Sequence, residues 1–258
     1  MIPNFHMLGR RMRNPTVLVA IPVYNEAKHV AGVISSVRPY AENILVVDDG
    51  STDETPRLLD REPGLFRVDH PKNRGYGAAI RTAFDFAQRG GFDILVTMDC
   101  DGQHQPYRIP VLLEALTDCE IVSGSRYLRD FRQDDPAPED RRSINATISR
   151  ELNDRFDLEL TDAFCGFKAY SVHALAKLDI TEPGWGMPLQ LWVQAARQGL
   201  RIREVGVPRL YLDPTRAFGG MLNDATARLA YYRGVIDRAA EEPLPEPTCH
   251  QHVAELCG

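Results

Sequence analysis

Apolar residues along this chain follow two alternating rhythms. A short apolar run at 17–21 stops at Pro22; Val30, Val33, Ile34 and Val37 then recur at i, i+3, i+4 and i+7, the spacing of one helical face. The run 44–47 predicts a second strand, 55–61 a short helix and 66–69 a third strand. Ala79, Ile80, Ala83, Phe84 and Ala87 make another helical stripe, closed by Gly90 and Gly91, ahead of a strand at 94–98. The second half is less regular. Residues 121–126 read as a strand running into a loop, 130–142 as a polar, proline-interrupted and mobile stretch, and 143–156 as a helix carried by Ile144, Ile148 and Leu152. A strand at 164–170, a helix holding Val172, Leu175, Ala176 and Leu178, and a helix at 189–198 ended by Gly199 come next. An alternating strand at 201–207 and an amphipathic helix at 221–239 complete the series.

Strands alternating with helices imply an α/β fold, a single Rossmann-like domain whose mostly parallel central sheet is flanked by helices. The expected domain covers 16–240, with an N-terminal extension at 1–15 and a flexible tail at 241–258. In such sheets ligands sit beyond the carboxyl ends of the strands. The segments 22–26, 48–53 and 99–104 each begin where a predicted strand ends, so they are expected to converge on one crevice.

Composition narrows the classes. With 258 residues, 43% hydrophobic and 26% charged, the chain can bury an enzyme-sized core and shows no bias toward disorder. A net charge of -6 argues against a general nucleic-acid binder, which needs a basic surface to displace counterions from phosphates. Five cysteines, an odd count without close pairing, argue for a reducing, cytoplasmic setting rather than a disulfide framework. Cys249, His250, His252 and Cys257 are too irregularly spaced to predict zinc. No secretory signal is visible, and no run approaches the ~20 apolar residues that span a bilayer. Contact with the inner face of a membrane would therefore be peripheral, through the 221–239 helix.

The candidate chemistry lies in short segments at the strand ends. Asp99 and Asp101, one residue apart and turned back by Gly102, either end a strand or hold a divalent cation through oxygen and so neutralise a diphosphate. IPVYNE occupies 21–26, with Asn25 a candidate helix cap; VVDDGSTDET occupies 46–55, a turn capped by Asp53 or a carboxylate able to accept a uracil or guanine N–H. NRGYGAAIRTAF at 73–84 has glycines that permit close backbone approach, either to an anion at a helix start or to the sheet beneath. Arg126 in SGSRY at 123–127, and Arg142, are forks for phosphate oxygens or solvated charges. Asp162 in TDAFCGFK at 161–168 is a base, an orienting group, a cap or a salt-bridge partner.

Together these segments resemble the inverting nucleotide-sugar glycosyltransferases of family 2, with the GT-A fold, over roughly residues 16–215. The likeness is strongest to the branch that glycosylates polyprenyl (dolichyl) phosphates. The resemblance implies that Pro22, Tyr24, Asn25 and Glu26 line the base and ribose pocket, that Asp49 contacts the base, and that Lys72, Arg74 and Gly75 approach the nucleotide. It implies Mg²⁺ or Mn²⁺ on Asp101 and Gln103, with Asp99 on the metal or nearer the ribose, and an acceptor phosphate held by Arg126 and Arg142. The implied reaction moves a hexose from a nucleoside-diphosphate sugar of the GDP-mannose or UDP-glucose type to a polyprenyl phosphate. A soluble hydroxyl acceptor, a non-catalytic nucleotide-sugar-binding module and a nucleotidyltransferase are the alternatives. Asp162 separates two of these chemistries, because a phosphate acceptor is already anionic near neutral pH whereas a hydroxyl needs a base. The chain departs from many relatives at 184–191, GWGMPLQL, which lacks their acidic residue. Trp185 there, and Trp192 beyond it, are candidates to stack on sugar, to lie on lipid or, for Trp192 above all, to pack inside.

Overall fold

The apolar runs become neighbouring strands of one sheet. The computed structural model describes residues 14–211 and 220–244. In chain order these form β1 (Val17–Val23), α1 (Val30–Val37), β2 (Asn43–Asp48), α2 (Thr55–Leu59), β3 (Phe66–Asp69), α3 (Tyr76–Arg89), β4 (Ile94–Thr97) and α4 (Ile109–Ala115). Then come β5 (Ile121–Ser125), α5 (Glu139–Phe156), β6 (Lys168–Ser171), α6 (Val172–Leu175), α7 (Met187–Arg197), β7 (Ile202–Gly206) and α8 (Ala225–Glu241). The strand order is β3-β2-β1-β4-β6-β5-β7, parallel throughout except for β6, which runs antiparallel to β4 and β5.

Leu18, Val19, Ala20 and Ile21 are all fully buried, the signature of a central strand covered on both faces. One face packs with Ile80, Phe84, Ile148, Leu191, Trp192 and Ile236, which lie on α3, α5, α7 and α8; the other packs with Val30, Ile34, Ile109 and Leu112 of α1 and α4. The six strands β1, β2, β3, β4, β5 and β7 end, and β6 begins, along the same edge. That edge collects the loops carrying every candidate segment.

Several local expectations are revised. Pro22 does not stop β1, which continues to Val23. The Ala20 carbonyl accepts from Met98 and the Val23 carbonyl from Asp49, so Pro22 faces the β4 side just past the last β1–β4 pair, Ala20 with Thr97. A missing N–H there breaks no ladder. β6 begins at Lys168 rather than 164, and α5 begins at Glu139, with Glu139 and Asp140 in its first turn favoured by the helix dipole. The 130–135 part of the stretch expected to be mobile is tied down: Asp134 and Asp135 accept from the Arg209 and Tyr211 N–H groups, and Arg209 Nε donates to the Asp135 carbonyl.

α8 starts at Ala225, capped by Asp224, and buries Arg228, Tyr232, Val235, Ile236 and Ala239 among α5 and α7. Its apolar stripe therefore serves the core rather than a membrane surface. Among the described residues no helix is long and apolar enough to cross a membrane. Cys100, Cys119 and Cys165 are buried and not in disulfides. Most of the expected extension and tail, with Cys249, His250, His252 and Cys257, lies outside the described residues.

Candidate active site

The first two loops are zipped together. Asn25 holds a left-handed backbone (φ 55°), which asparagine tolerates, and its Oδ1 accepts from Thr52 N (2.8 Å) and Asp53 N (3.3 Å). In return the Asn25 N–H donates to Ser51 Oγ (2.9 Å) and Ala27 N–H to Asp53 Oδ2 (3.1 Å). Asn25 is thus not the cap of α1, whose preceding residue is His29; it staples the loop after β1 to the loop after β2. Tyr24 projects from this staple, 44% exposed, while Glu26 is buried beneath it.

Asp49 staples the second loop to the third. Its Oδ1 lies 2.6 Å from His70 Nδ1 and accepts from Arg74 N (2.9 Å), and its Oδ2 accepts from Gly75 N (2.8 Å). At 3% exposure this carboxylate is an organiser of the glycine-rich turn, so its contacts do not show the base-facing role that the resemblance implied. The helix start is likewise committed to protein: Ala78 N–H donates to the Pro183 carbonyl (3.1 Å), and a Cβ at Gly75 or Gly77 would overlap the backbone at 182–183. The Arg74, Gly75 and Ala78 N–H groups thus close the structure on itself. Lys72 and Arg74 remain exposed at the rim.

The central loop follows β4. Gly102 has φ 76° and folds the chain back so that Asp101 Oδ1 accepts the Gln103 N–H (3.0 Å). His104 stacks on Phe167 (5.2 Å between centroids) and its Nδ1 accepts the Asp99 N–H (3.0 Å), with Nε2 3.8 Å from Asp99 Oδ2. Burial opposes charge on this imidazole, but the Asp99 carboxylate, then Cys165 and last Asp101, pull it from 6.5 up to about 9. Nδ1 acting as an acceptor opposes that rise, and a cation beside the two carboxylates would remove the carboxylates' share of it. Asp99 Oδ1 is buried without a hydrogen-bond partner, and a Cβ at Gly166 would overlap both Asp99 oxygens. Glycine at 166 is what gives this carboxylate room.

Beside it lies an ion pair. Arg126 Nε and Nη2 donate to Asp162 Oδ2 (2.7 Å) and Oδ1 (2.9 Å), and the N–H groups of Arg126 and Phe164 add bonds of 3.1 Å each. Asp162 is fully buried. Burial would raise its pKa, yet the charge and hydrogen bonds of Arg126 hold it below the ordinary 3.8. Behind the pair stands Glu204 of β7, accepting from Thr161 N (2.9 Å), Thr161 Oγ1 (2.6 Å) and Asp162 N (2.9 Å). Burial raises the Glu204 pKa against these donors. Arg142, by contrast, lies exposed on α5 and pairs with Glu139 (2.9 Å), one turn away on its own helix. Its neighbour Arg141 turns toward the Tyr211 ring, 5.7 Å from its centroid.

Residues 18–179 match the profile of Glycosyl transferase family 2. The chain is a family 2 glycosyltransferase. It is 31% identical over 224 residues to an undecaprenyl-phosphate mannosyltransferase of Micrococcus luteus, covering 83% of this chain and 92% of that one. It is 30% identical over 242 residues to a polyprenol monophosphomannose synthase of Mycolicibacterium smegmatis, covering 86% and 89%. Among solved structures, glucosyl-3-phosphoglycerate synthase of Mycobacterium tuberculosis in complex with UDP superposes with a TM-score of 0.65 at 22% identity, over 89% of this chain and 81% of that one. A complex of the same enzyme with Mn²⁺, UDP and glucosyl-3-phosphoglycerate gives 0.64 at 20% identity, with the same coverage. These likenesses show a GT-A-like fold.

In this glycosyltransferase the D-x-D turn suits a hard divalent cation. Among the described residues no group of three or more His, Cys, Asp or Glu could hold an ion. Two carboxylates and an amide oxygen are nonetheless the partial set that Mg²⁺ takes when substrate phosphates and water complete its shell. The orphaned Asp99 Oδ1 and the clearance at Gly166 fit such a ligand. Glu204, His70 and Tyr76 belong to the site without having been singled out from sequence. Glu204 alone carried a signal, sharing strand parity with the inward-facing Ile202 and Gly206.

Proposed function

We propose that this family 2 hexosyltransferase moves a hexose from a nucleoside-diphosphate donor of the GDP-mannose or UDP-glucose type onto the phosphate of a polyprenyl phosphate, with inversion at the anomeric carbon. The observation that carries the acceptor half is the bidentate pair of Arg126 and Asp162. A hydroxyl acceptor needs a base to take its proton. Asp162 is the carboxylate its motif offers for that task, but both its oxygens are committed to Arg126 and its pKa is held low. A phosphate monoester is anionic near neutral pH and attacks unaided. Asp162 then acts as a positioning residue, aiming Arg126 so that the guanidinium edge away from it presents N–H groups to phosphate oxygens. The names of the Micrococcus luteus and Mycolicibacterium smegmatis relatives, a mannosyltransferase for undecaprenyl phosphate and a polyprenol monophosphomannose synthase, support the same acceptor class.

Asp101, Asp99 and the Gln103 amide would hold Mg²⁺ or Mn²⁺. When bound, the cation neutralises charge gathering on the departing diphosphate. The chain's own residues do the rest. The stapled loops at 22–26 and 48–53 form one wall for the nucleoside, and Lys72 and Arg74 at the rim meet phosphate oxygens. Arg126 holds the acceptor phosphate in line. A phosphate oxygen forms its bond to the anomeric carbon as the bond from that carbon to the diphosphate oxygen breaks on the opposite face, and the electron pair leaves with the nucleoside diphosphate. No proton transfer is required.

The test is a panel of UDP- and GDP-hexoses with Mg²⁺, with and without polyprenyl phosphate, reading nucleoside diphosphate released and labelled lipid formed. One donor should yield labelled lipid, and Arg126→Ala should abolish it. Equal release with and without lipid, or an Arg126→Ala variant with unchanged lipid transfer, would refute the assignment.

A further inference from the structure

Trp185 is a large aromatic side chain left 41% exposed at the crevice, yet held by its surroundings. Its ring stacks on Tyr76, with centroids 5.2 Å apart and planes 14° from parallel. The backbone around it is fixed from behind. Gln190 Oε1 accepts from Thr181 N (2.9 Å) and Glu182 N (2.8 Å), Gly184 N donates to Glu182 Oε1 (3.0 Å), and Gly186 N donates to the Tyr231 hydroxyl (3.1 Å). Tyr231 in turn donates to Glu182 Oε1 (2.6 Å). The glycines on either side of Trp185 are needed for this closeness, since a Cβ at 184 would meet the Tyr231 hydroxyl and one at 186 would meet Val235. Gly75 and Gly77 likewise let the start of α3 press on 182–183, which brings Tyr76 under Trp185. The glycine-rich turn and the GWG segment are therefore two halves of one aromatic shelf.

The shelf has a direction. The Tyr76 hydroxyl is within hydrogen-bonding reach of Asp99, so the stacked pair stands beside a carboxylate assigned to the diphosphate end of the donor. The nucleoside wall at 22–26 and 48–53 belongs to other loops. Of the two groups joined directly to the diphosphate, the ribose goes with that wall, which leaves the hexose for the Trp185 side. A hexopyranose presents an apolar C–H face that suits the face of an indole, with its hydroxyls turned outward to polar partners.

We infer that Trp185, backed by Tyr76, is the platform for the hexose ring of the donor and sets the enzyme's preference for a nucleoside diphosphate that carries a hexose. The inference rests on the proposed nucleoside-diphosphate-hexose site and adds the residue that reads its sugar. Gly184 and Gly186 keep the platform rigid, so little ordering is required when the sugar arrives.

Calorimetric binding of UDP, UDP-glucose, GDP and GDP-mannose with Mg²⁺ tests this on wild type, Trp185→Ala, Trp185→Leu and Trp185→Phe. Tryptophan emission is a second readout, since Trp192 is fully buried and a change on ligand addition reports Trp185. Trp185→Ala and Trp185→Leu should weaken the nucleoside-diphosphate hexose by about 3- to 10-fold while leaving the bare nucleotide unchanged, and Trp185→Phe should keep most of the affinity. Wild-type emission should change with the sugar nucleotide and not with the nucleotide alone. Equal weakening of both ligands, weakening of neither, or a rise confined to KM for polyprenyl phosphate would overturn the inference. A wild-type protein that binds no nucleotide of the panel overturns the donor site and the platform together. Binding and transfer that survive in Trp185→Leu overturn the platform alone. Should Trp185→Ala fail to fold, the Leu and Phe variants decide.

Discussion

Arg126→Ala removes one partner of the pair on which the acceptor assignment turns, and its cost can be worked from the contacts. Asp162 is fully buried and loses its two guanidinium bonds, keeping only the Arg126 and Phe164 N–H groups. Stranding a buried charge costs about 3–5 kcal/mol, and the two surviving N–H bonds favour the lower end. For a domain of this size a loss of ~3 kcal/mol lowers the melting temperature by roughly 6–12 °C. The deficit should depend on pH with a definite sign. In the wild type the folded pKa of Asp162 lies below its ordinary 3.8, so its contribution is present above that value and fades as pH falls through the folded pKa. In Arg126→Ala burial acts unopposed by the guanidinium and raises the folded pKa. The gap between variant and wild type should therefore be full near pH 7 and shrink toward about pH 4.5. Thermal melts of both proteins at the two pH values are the assay. Replacing both residues by leucine should restore most of the stability while sugar transfer stays absent. An Arg126→Ala protein that melts within about 2 °C of wild type near pH 7, or whose deficit stays constant with pH, would refute the reasoning.

Three further outcomes follow from the same geometry. Asp101→Ala should fold normally and lose at least ~10³-fold in transfer, because charge on the departing diphosphate goes uncompensated; near-normal turnover at saturating donor and Mn²⁺ would contradict the cation site. Gly166→Ala places a methyl group where the Asp99 carboxylate lies, so Mn²⁺-dependent nucleotide binding should fall, and binding equal to wild type would show that Asp99 is not needed in place. Glu204→Ala leaves the Thr161 and Asp162 N–H groups without their acceptor and should cost about 1–3 kcal/mol in a urea melt, with kcat for polyprenyl phosphate reduced more than donor affinity. Glu204→Gln keeps one acceptor oxygen and turns a donor toward the other N–H, so it should recover only part of both losses.

Much of the fold was legible because parallel strands covered on both faces are continuous apolar runs. Residues 17–21, 44–47 and 94–98 announce β1, β2 and β4 directly, and their ends locate the crevice. Local punctuation misled in places. Pro22 reads as a stop but sits where no ladder bond is lost, and Pro110 obscures α4 although proline is at home in a first helical turn. Ile109, Leu112 and Leu113 carried the helical spacing that would have revealed it. Within the site, residue types were legible and partners were not. Asn25 reaches Thr52, Asp49 reaches Arg74 and Gly75, and Arg126 reaches Asp162, each across at least 25 residues of chain. No local pattern encodes such pairs. The split between Arg142, paired outward with Glu139, and Arg126, paired inward with Asp162, is visible only in three dimensions.

The central claim is that a phosphate oxygen, not a hydroxyl, receives the hexose. It is tested most directly by offering the enzyme, with its preferred labelled donor and Mg²⁺, polyprenyl phosphate in one reaction and the polyprenol of the same chain length in another. Label should pass to the phosphate-bearing lipid alone. Comparable labelling of the unphosphorylated alcohol would contradict the account.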